Sequence, residues 1–111
     1  ASVGTLLELG RVLGSQREKP KVTYRLVFFD GEEAFCENWS DCGDEANPDN
    51  TYGSRHYVEV AQREKTLPSL KAMILVDMIG DRDLGIRRDS NSTKWLTDII
   101  WNTAASLKLS N

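Results

Sequence analysis

The chain has 111 residues, 40% of them hydrophobic, and a formal net charge of −3. That length suits one domain burying roughly two-thirds of its unfolded surface, and the composition argues against wholesale disorder. The acidic balance and the absence of Lys/Arg runs argue against a nucleic-acid or anionic-membrane partner, and no apolar stretch nears the ~20 residues of a membrane span.

The chain opens Ala1-Ser2-Val3 with neither an initiator Met nor a signal-peptide pattern. This reads as a start in mid-protein or after processing, so the compartment cannot be read from it. Val3, Leu6, Leu7, Gly10 and Leu13 recur at helical spacing, and Leu9 and Val12 widen the stripe into a mostly buried helix that Gly14-Ser15 ends. A charged turn through Pro20 leads to a strand over residues 22–30. Its Leu26-Val27-Phe28-Phe29 run lacks polar alternation, as a strand buried on both faces would. Residues 31–51 form a long polar loop. Ser54 caps a helix through about residue 64, with Tyr57, Val58 and Ala61 inside. After a turn at Pro68, Met73-Ile74-Leu75-Val76 reads as a second apolar strand over residues 71–79, and residues 85–88 as a short further one. Asn91 or Ser92 caps a last helix with Trp95, Leu96, Ile99, Ile100, Thr103 and Leu107 on one face; Trp95 and Trp101 fit core positions.

Strand, helix and strand in this order predict a right-handed crossover and a parallel pair. The expected fold is an α/β three-layer sandwich with a mostly parallel central sheet, residues 1–111 being a single domain or the central segment of a larger one. Two main strands make a thin sheet, so further chain or another subunit should cover its edges, and self-association through uncovered edges stays open.

Both strands run into carboxylates: the first into Asp30, Glu32 and Glu33, the second into Asp77. Parallel neighbours open at the same C-terminal edge, where ligands bind in open α/β sheets. Carboxylates gathered there repel one another unless a cation sits between them. Glu32 and Glu33 point in different directions in any regular conformation, so one can bind a metal while the other carries a proton. Two glutamates after a strand also read as solvated loop charges, and Asp77 as a loop cap. His56, the only histidine, reads as a packed or surface side chain. Asp41, Asp44, Glu45 and Asp49 lack the alternation of a calcium loop and read as solvated. Cys36 and Cys42 fit either a short-loop disulfide, which favours an oxidising compartment, or two free thiols. Trp39, close behind the acid pair, is either a pocket wall or a loop anchor.

Phe28-Phe29-Asp30-Gly31-Glu32-Glu33-Ala34-Phe35, Trp39 and Asp49-Asn50-Thr51-Tyr52-Gly53-Ser54-Arg55-His56 closely resemble the glutaminyl-peptide cyclotransferases, within the wider zinc aminopeptidase family. Leu6-Leu7-Glu8-Leu9-Gly10-Arg11 and Ile74-Leu75-Val76-Asp77-Met78-Ile79-Gly80 resemble the same family's preceding helix and following strand. The resemblance implies an incomplete zinc-aminopeptidase-like fold and peptide N-termini as substrate. It implies Glu33 as a zinc ligand, Glu32 as general acid/base and Asp77 as second-metal ligand or member of the acid network. Trp39 is similar to the tryptophan lining the cyclase substrate pocket. The family's first zinc-binding aspartate would lie a few residues before Ala1 and its histidine beyond Asn111, so two of three expected ligands are absent. Zinc belongs to the complete enzyme, and this chain alone should bind it weakly and be inactive. A zinc aminopeptidase and a non-catalytic remnant are the alternatives.

Overall fold

The computed structural model describes residues 1–18, 20–38 and 41–109. The element order is α1 (Ser2–Ser15), α2 (Tyr52–Arg63), a 3-10 turn (Leu67–Ser69) and α3 (Lys94–Ser106). The chain divides into two compact units, Val3–Met73 and Ala1–Ser2 with Ile74–Asn111.

In the first unit, Leu6, Gly10 and Leu13 of α1 are half-buried while Val3 and Leu7 are exposed. The predicted helix forms, but as a narrow seam of about one inward residue per turn rather than a mostly buried rod. Leu26 presses on that seam: a β-carbon on Gly10 would lie 2.9 Å from Leu26 Cδ1. Phe29 meets Tyr57 of α2 edge-on at 5.7 Å between ring centroids. Arg25 donates to the Tyr57 hydroxyl at 3.0 Å. Residues 25–29 therefore tie α1 to α2 through side chains. Ala61 is the buried centre of α2.

Helix α2 starts at Tyr52 with Thr51 at its N-cap, three residues before the predicted cap Ser54. Its C-terminus closes by two reverse bonds, Lys65 N–H to the Gln62 carbonyl (3.0 Å) and Thr66 N–H to the Ala61 carbonyl (2.9 Å). Lys65 adopts φ 57 there, at a position where glycine is commoner.

In the second unit, α3 begins at Lys94 after Thr93, not after Asn91 or Ser92. Its buried residue is Thr97, whose hydroxyl donates to the Thr93 carbonyl at 3.2 Å. Trp95 (55% exposed) and Ile99 (54%) face solvent, contrary to the expected buried face. Trp101 is half-buried beneath the Arg88 guanidinium, 5.2 Å from its ring centroid. Arg88 also pairs with Asp98 at 2.6 Å, and Lys94 with the same carboxylate at 2.5 Å. The Arg88 contacts fasten the preceding loop to α3, and the Lys94–Asp98 pair lies within the helix.

The expected α/β sandwich is not what forms. Among the described residues there is no sheet: residues 22–30, 71–79 and 85–88 carry no ladder, and the sole β-bridge joins Gly43 to Pro48. An apolar run states that side chains favour burial. A strand also needs partner backbones, and a stable sheet needs three or more strands or a helix packed on a paired face. Neither run has a backbone partner here. Residues 26–29 bury one side on helices instead, and Met73, Ile74 and Leu75 remain exposed. Without a sheet there is no C-terminal edge to gather the acids.

Candidate functional site

The turn that bears Glu32 and Glu33 is held by the N-terminus of α2. The first amides of a helix lack partners within it. Here Thr51 N–H donates to the Glu32 carbonyl (2.9 Å), Tyr52 N–H to Gly31 (2.7 Å) and Gly53 N–H to Asp30 (3.1 Å). Three successive carbonyls thus replace a side-chain cap, which is why Ser54 is not needed as one. Its hydroxyl turns back to the Thr51 carbonyl at 3.0 Å.

Two glycines make this clasp sterically possible. Gly31 adopts φ 55, a conformation open to glycine, and redirects the chain after Asp30. A β-carbon on Gly53 would lie 2.6 Å from the Asp30 carbonyl oxygen. Thr51 itself sits at φ 50, a costly conformation for a β-branched residue. The bond from its amide and a 2.9 Å hydroxyl bond to Asn50 hold it there.

Behind the acids, residues 35–38 and 41–50 form a hydrogen-bonded loop. Cys36 and Cys42 are joined in a disulfide, resolving the alternatives the sequence leaves open. Asp44 accepts the amides of Ala46 (2.8 Å) and Asn47 (2.7 Å), and Asn38 donates to Asp41 at 2.6 Å. Asp41 and Asp44 thus anchor the loop through hydrogen bonds while they and Glu45 remain exposed, in keeping with solvated loop charges. Asp49 is the densest of these anchors. It accepts the Tyr52 hydroxyl at 2.5 Å, the Phe35 amide at 2.9 Å and the Cys36 amide. Arg55 lies 4.8 Å over the Tyr52 ring and donates to the carbonyls of Pro48 (2.7 Å) and Asn50 (2.9 Å). The Tyr52 hydroxyl bond, then the Phe35 and Cys36 amides and the charge of Arg55, hold the Asp49 carboxyl below the usual aspartate range. The same bond, burial and the Asp49 charge push the Tyr52 phenol up.

Glu32 and Glu33 lie together on the clasped turn, both exposed. Asp77 belongs to the other unit; it is exposed and accepts the amide of Met78 (φ 49) at 2.7 Å. Trp39 lies outside the described residues. His56 is exposed on α2, at a shallow surface it shares with Asp30 and Tyr57. Among the described residues, one set of three potential metal ligands comes together, namely Cys36, Cys42 and Asp49. Its sulfurs are already bonded to each other, so it is not a metal site. The donors gathered in either unit do not fit a closed zinc site, which takes three protein ligands or more.

Sequence reasoning undervalued Asp49 and Arg55. Their signal was present in the Asp49-Asn50-Thr51-Tyr52-Gly53-Ser54-Arg55 block, where a carboxylate, a phenol and a guanidinium recur every three residues into a helix start.

Comparison with known proteins completes the picture. The family model described as Peptidase family M28 matches residues 1–110. Glutaminyl-peptide cyclotransferase of Drosophila melanogaster is 37% identical over 81 residues, covering 70% of this chain and 21% of the relative. The Dictyostelium discoideum protein of the same name is 34% identical over 89 residues, covering 68% and 23%. The Bos taurus one is 27% identical over 133 aligned residues, covering 81% and 35%. The chain thus spans about a fifth to a third of the length of these curated relatives. No solved structure matches it significantly. The likeness to glutaminyl-peptide cyclotransferases read from the sequence is borne out.

Proposed function

The chain belongs to peptidase family M28, and on that premise we propose that it carries the acid-bearing segment of a glutaminyl-cyclase-like enzyme acting on peptide N-termini. The observation that supports this reading most is the clasped turn. It fixes the backbone of two adjacent carboxylates, Glu32 and Glu33, at a helix N-terminus, in a chain whose relatives are named as glutaminyl-peptide cyclotransferases.

In that reaction the α-amine nitrogen of an N-terminal glutamine attacks its own γ-amide carbon. A lactam C–N bond forms, the original amide C–N bond breaks, and ammonia leaves. The amine must lose a proton and the departing nitrogen must gain one. Glu32 is the proton carrier between them, a role that contributes typically about 10²–10⁴ in rate. Glu33 is assigned as a metal-binding carboxylate and Asp77 as a second acid of that centre. Trp39 is assigned to the wall of the substrate pocket. Among the described residues no free set of donors completes a zinc site, and the isolated chain is expected to be inactive.

A second reading, aminopeptidase action, draws on the description of the matching family as a peptidase. There Glu32 would take a proton from the attacking water. Assay of the complete protein with N-terminal glutaminyl and leucyl fluorogenic peptides separates the two. Pyroglutamate formation that falls about 10²-fold or more in Glu32→Gln supports the cyclase. Leucyl release with no pyroglutamate overturns it.

A further inference from the structure

We propose that Asp49 is the positioning residue of this site, bracing the Glu32–Glu33 turn against α2 from behind. This rests on the reading of Glu32 as proton carrier. The turn is attached to α2 at one end by the amides of Thr51, Tyr52 and Gly53, which hold the carbonyls of residues 30–32. Its other end emerges at Phe35 and Cys36, whose amides both point to the Asp49 carboxylate. The other oxygen of that carboxylate takes the hydroxyl of Tyr52, the first residue of α2. One side chain therefore joins the exit of the acid turn to the helix that anchors its start. Arg55 completes the brace by holding the carbonyls of Pro48 and Asn50 on either side of Asp49.

All three partners of Asp49 are donors. Only a group that accepts at both ends meets them, and an ionised carboxylate does. An asparagine of the same shape must present its NH₂ either to the Tyr52 hydroxyl on one side or to the Phe35 amide on the other. The brace then opens on one side with hardly any change in volume. Proton carriers work only when their geometry is held within a fraction of an ångström, so loosening this brace should act on the chemical step.

The test uses Asp49→Asn and Tyr52→Phe in the complete protein, read by amide hydrogen exchange and by the kcat and KM of glutaminyl-peptide turnover. In Asp49→Asn, exchange should rise by about tenfold or more at Phe35 and Cys36 and also at Thr51, Tyr52 and Gly53, which Asp49 braces as a unit. At the same time kcat should fall by about tenfold or more, with KM within about threefold. Tyr52→Phe, which keeps the ring under Arg55, should show the same pattern at smaller amplitude; it decides the question if Asp49→Asn does not fold. Faster exchange confined to residues 35 and 36, or a lower kcat without any change in exchange, overturns the proposal. So does faster exchange at both ends with unaltered kcat. If the wild-type protein forms no pyroglutamate, the cyclase reading fails, and coupled exchange at the two ends of the turn alone then decides whether Asp49 is the brace.

Discussion

Replacing Gly53 with alanine attacks the clasp at its tightest point. The added β-carbon would lie 2.6 Å from the Asp30 carbonyl oxygen, 2.8 Å from Asp30 Oδ1 and 3.0 Å from the Asp30 amide nitrogen. Two of these atoms are backbone and cannot rotate aside, so residues 30–32 must move off α2. Overpacking of this kind costs about 1–3 kcal/mol. The Gly53–Asp30 hydrogen bond is lost as well, at about 0.5–1.5 kcal/mol, and its two neighbours are weakened. Against this stands the gain of up to ~1 kcal/mol when alanine replaces glycine in a helix. The net expectation is a destabilisation of about 1–3 kcal/mol. Gly14 in α1 is the matched control, because a β-carbon there meets nothing within 4 Å. Gly14→Ala should stabilise by up to ~1 kcal/mol. Urea unfolding of the two variants, with exchange at residues 51–53 as the local probe, measures the difference in sign. Equal stability of Gly53→Ala and Gly14→Ala would show that the clasp is not a packed contact.

Asp49 and Tyr52 predict a window of pH. Because the carboxyl is held below its ordinary value, its contribution is complete above about pH 4 and fades as pH falls through the lower folded value. Because the phenol is raised, its contribution is complete below about pH 10 and fades as pH rises through the higher folded value. Ultraviolet titration should find Tyr52 ionising above the ordinary tyrosine range, and Asp49→Asn should lower it. Cleaving the Cys36–Cys42 disulfide, whose cysteines are six positions apart, should cost about 2 kcal/mol by loss of loop closure. Denaturant unfolding of a Cys36→Ser/Cys42→Ser variant checks this, and an unaltered midpoint counts against it. Calorimetric zinc titration of this chain should show binding no tighter than about micromolar, since each unit offers isolated carboxylates rather than a three-ligand set. Sub-micromolar affinity at Glu32–Glu33 would refute that.

The helices were legible because helical periodicity is local. Leu6, Gly10 and Leu13 mark the inward seam of α1, and Tyr57 and Ala61 that of α2, whereas Val58, expected inside with them, is exposed. Their boundaries were less so. Ser54 looked like a cap because hydroxyl caps are common, but the α2 amides are met by carbonyls some twenty residues earlier, a contact that no local pattern encodes. The strands failed for a related reason. The runs through Phe28 and Ile74 state that their side chains favour an apolar setting, while pairing depends on backbones elsewhere. The face of α3 makes the same point: Trp95 and Ile99 lie on one stripe, yet that stripe faces solvent. Periodicity identifies the face that would be buried; it does not supply what buries it.

The site divides along the same line. Every bond that shapes the Glu32–Glu33 turn comes from within residues 30–55: the clasp at 51–53, the Asp49 brace, the Arg55 ties and the disulfide. None of them needs a sheet. A metal centre, by contrast, needs carboxylates and imidazoles brought together from distant parts of a chain, and Asp77 belongs to a different compact unit from Glu32 and Glu33. Local hydrogen bonds therefore shape the turn that bears Glu32, the proposed proton carrier, independently of the other proposed ligands. That independence makes Glu32 and Asp49 the residues to mutate first. Their effects on turn geometry should be measurable by hydrogen exchange whether or not zinc is present, whereas the effects of Glu33 and Asp77 should emerge only once the remaining ligands are supplied.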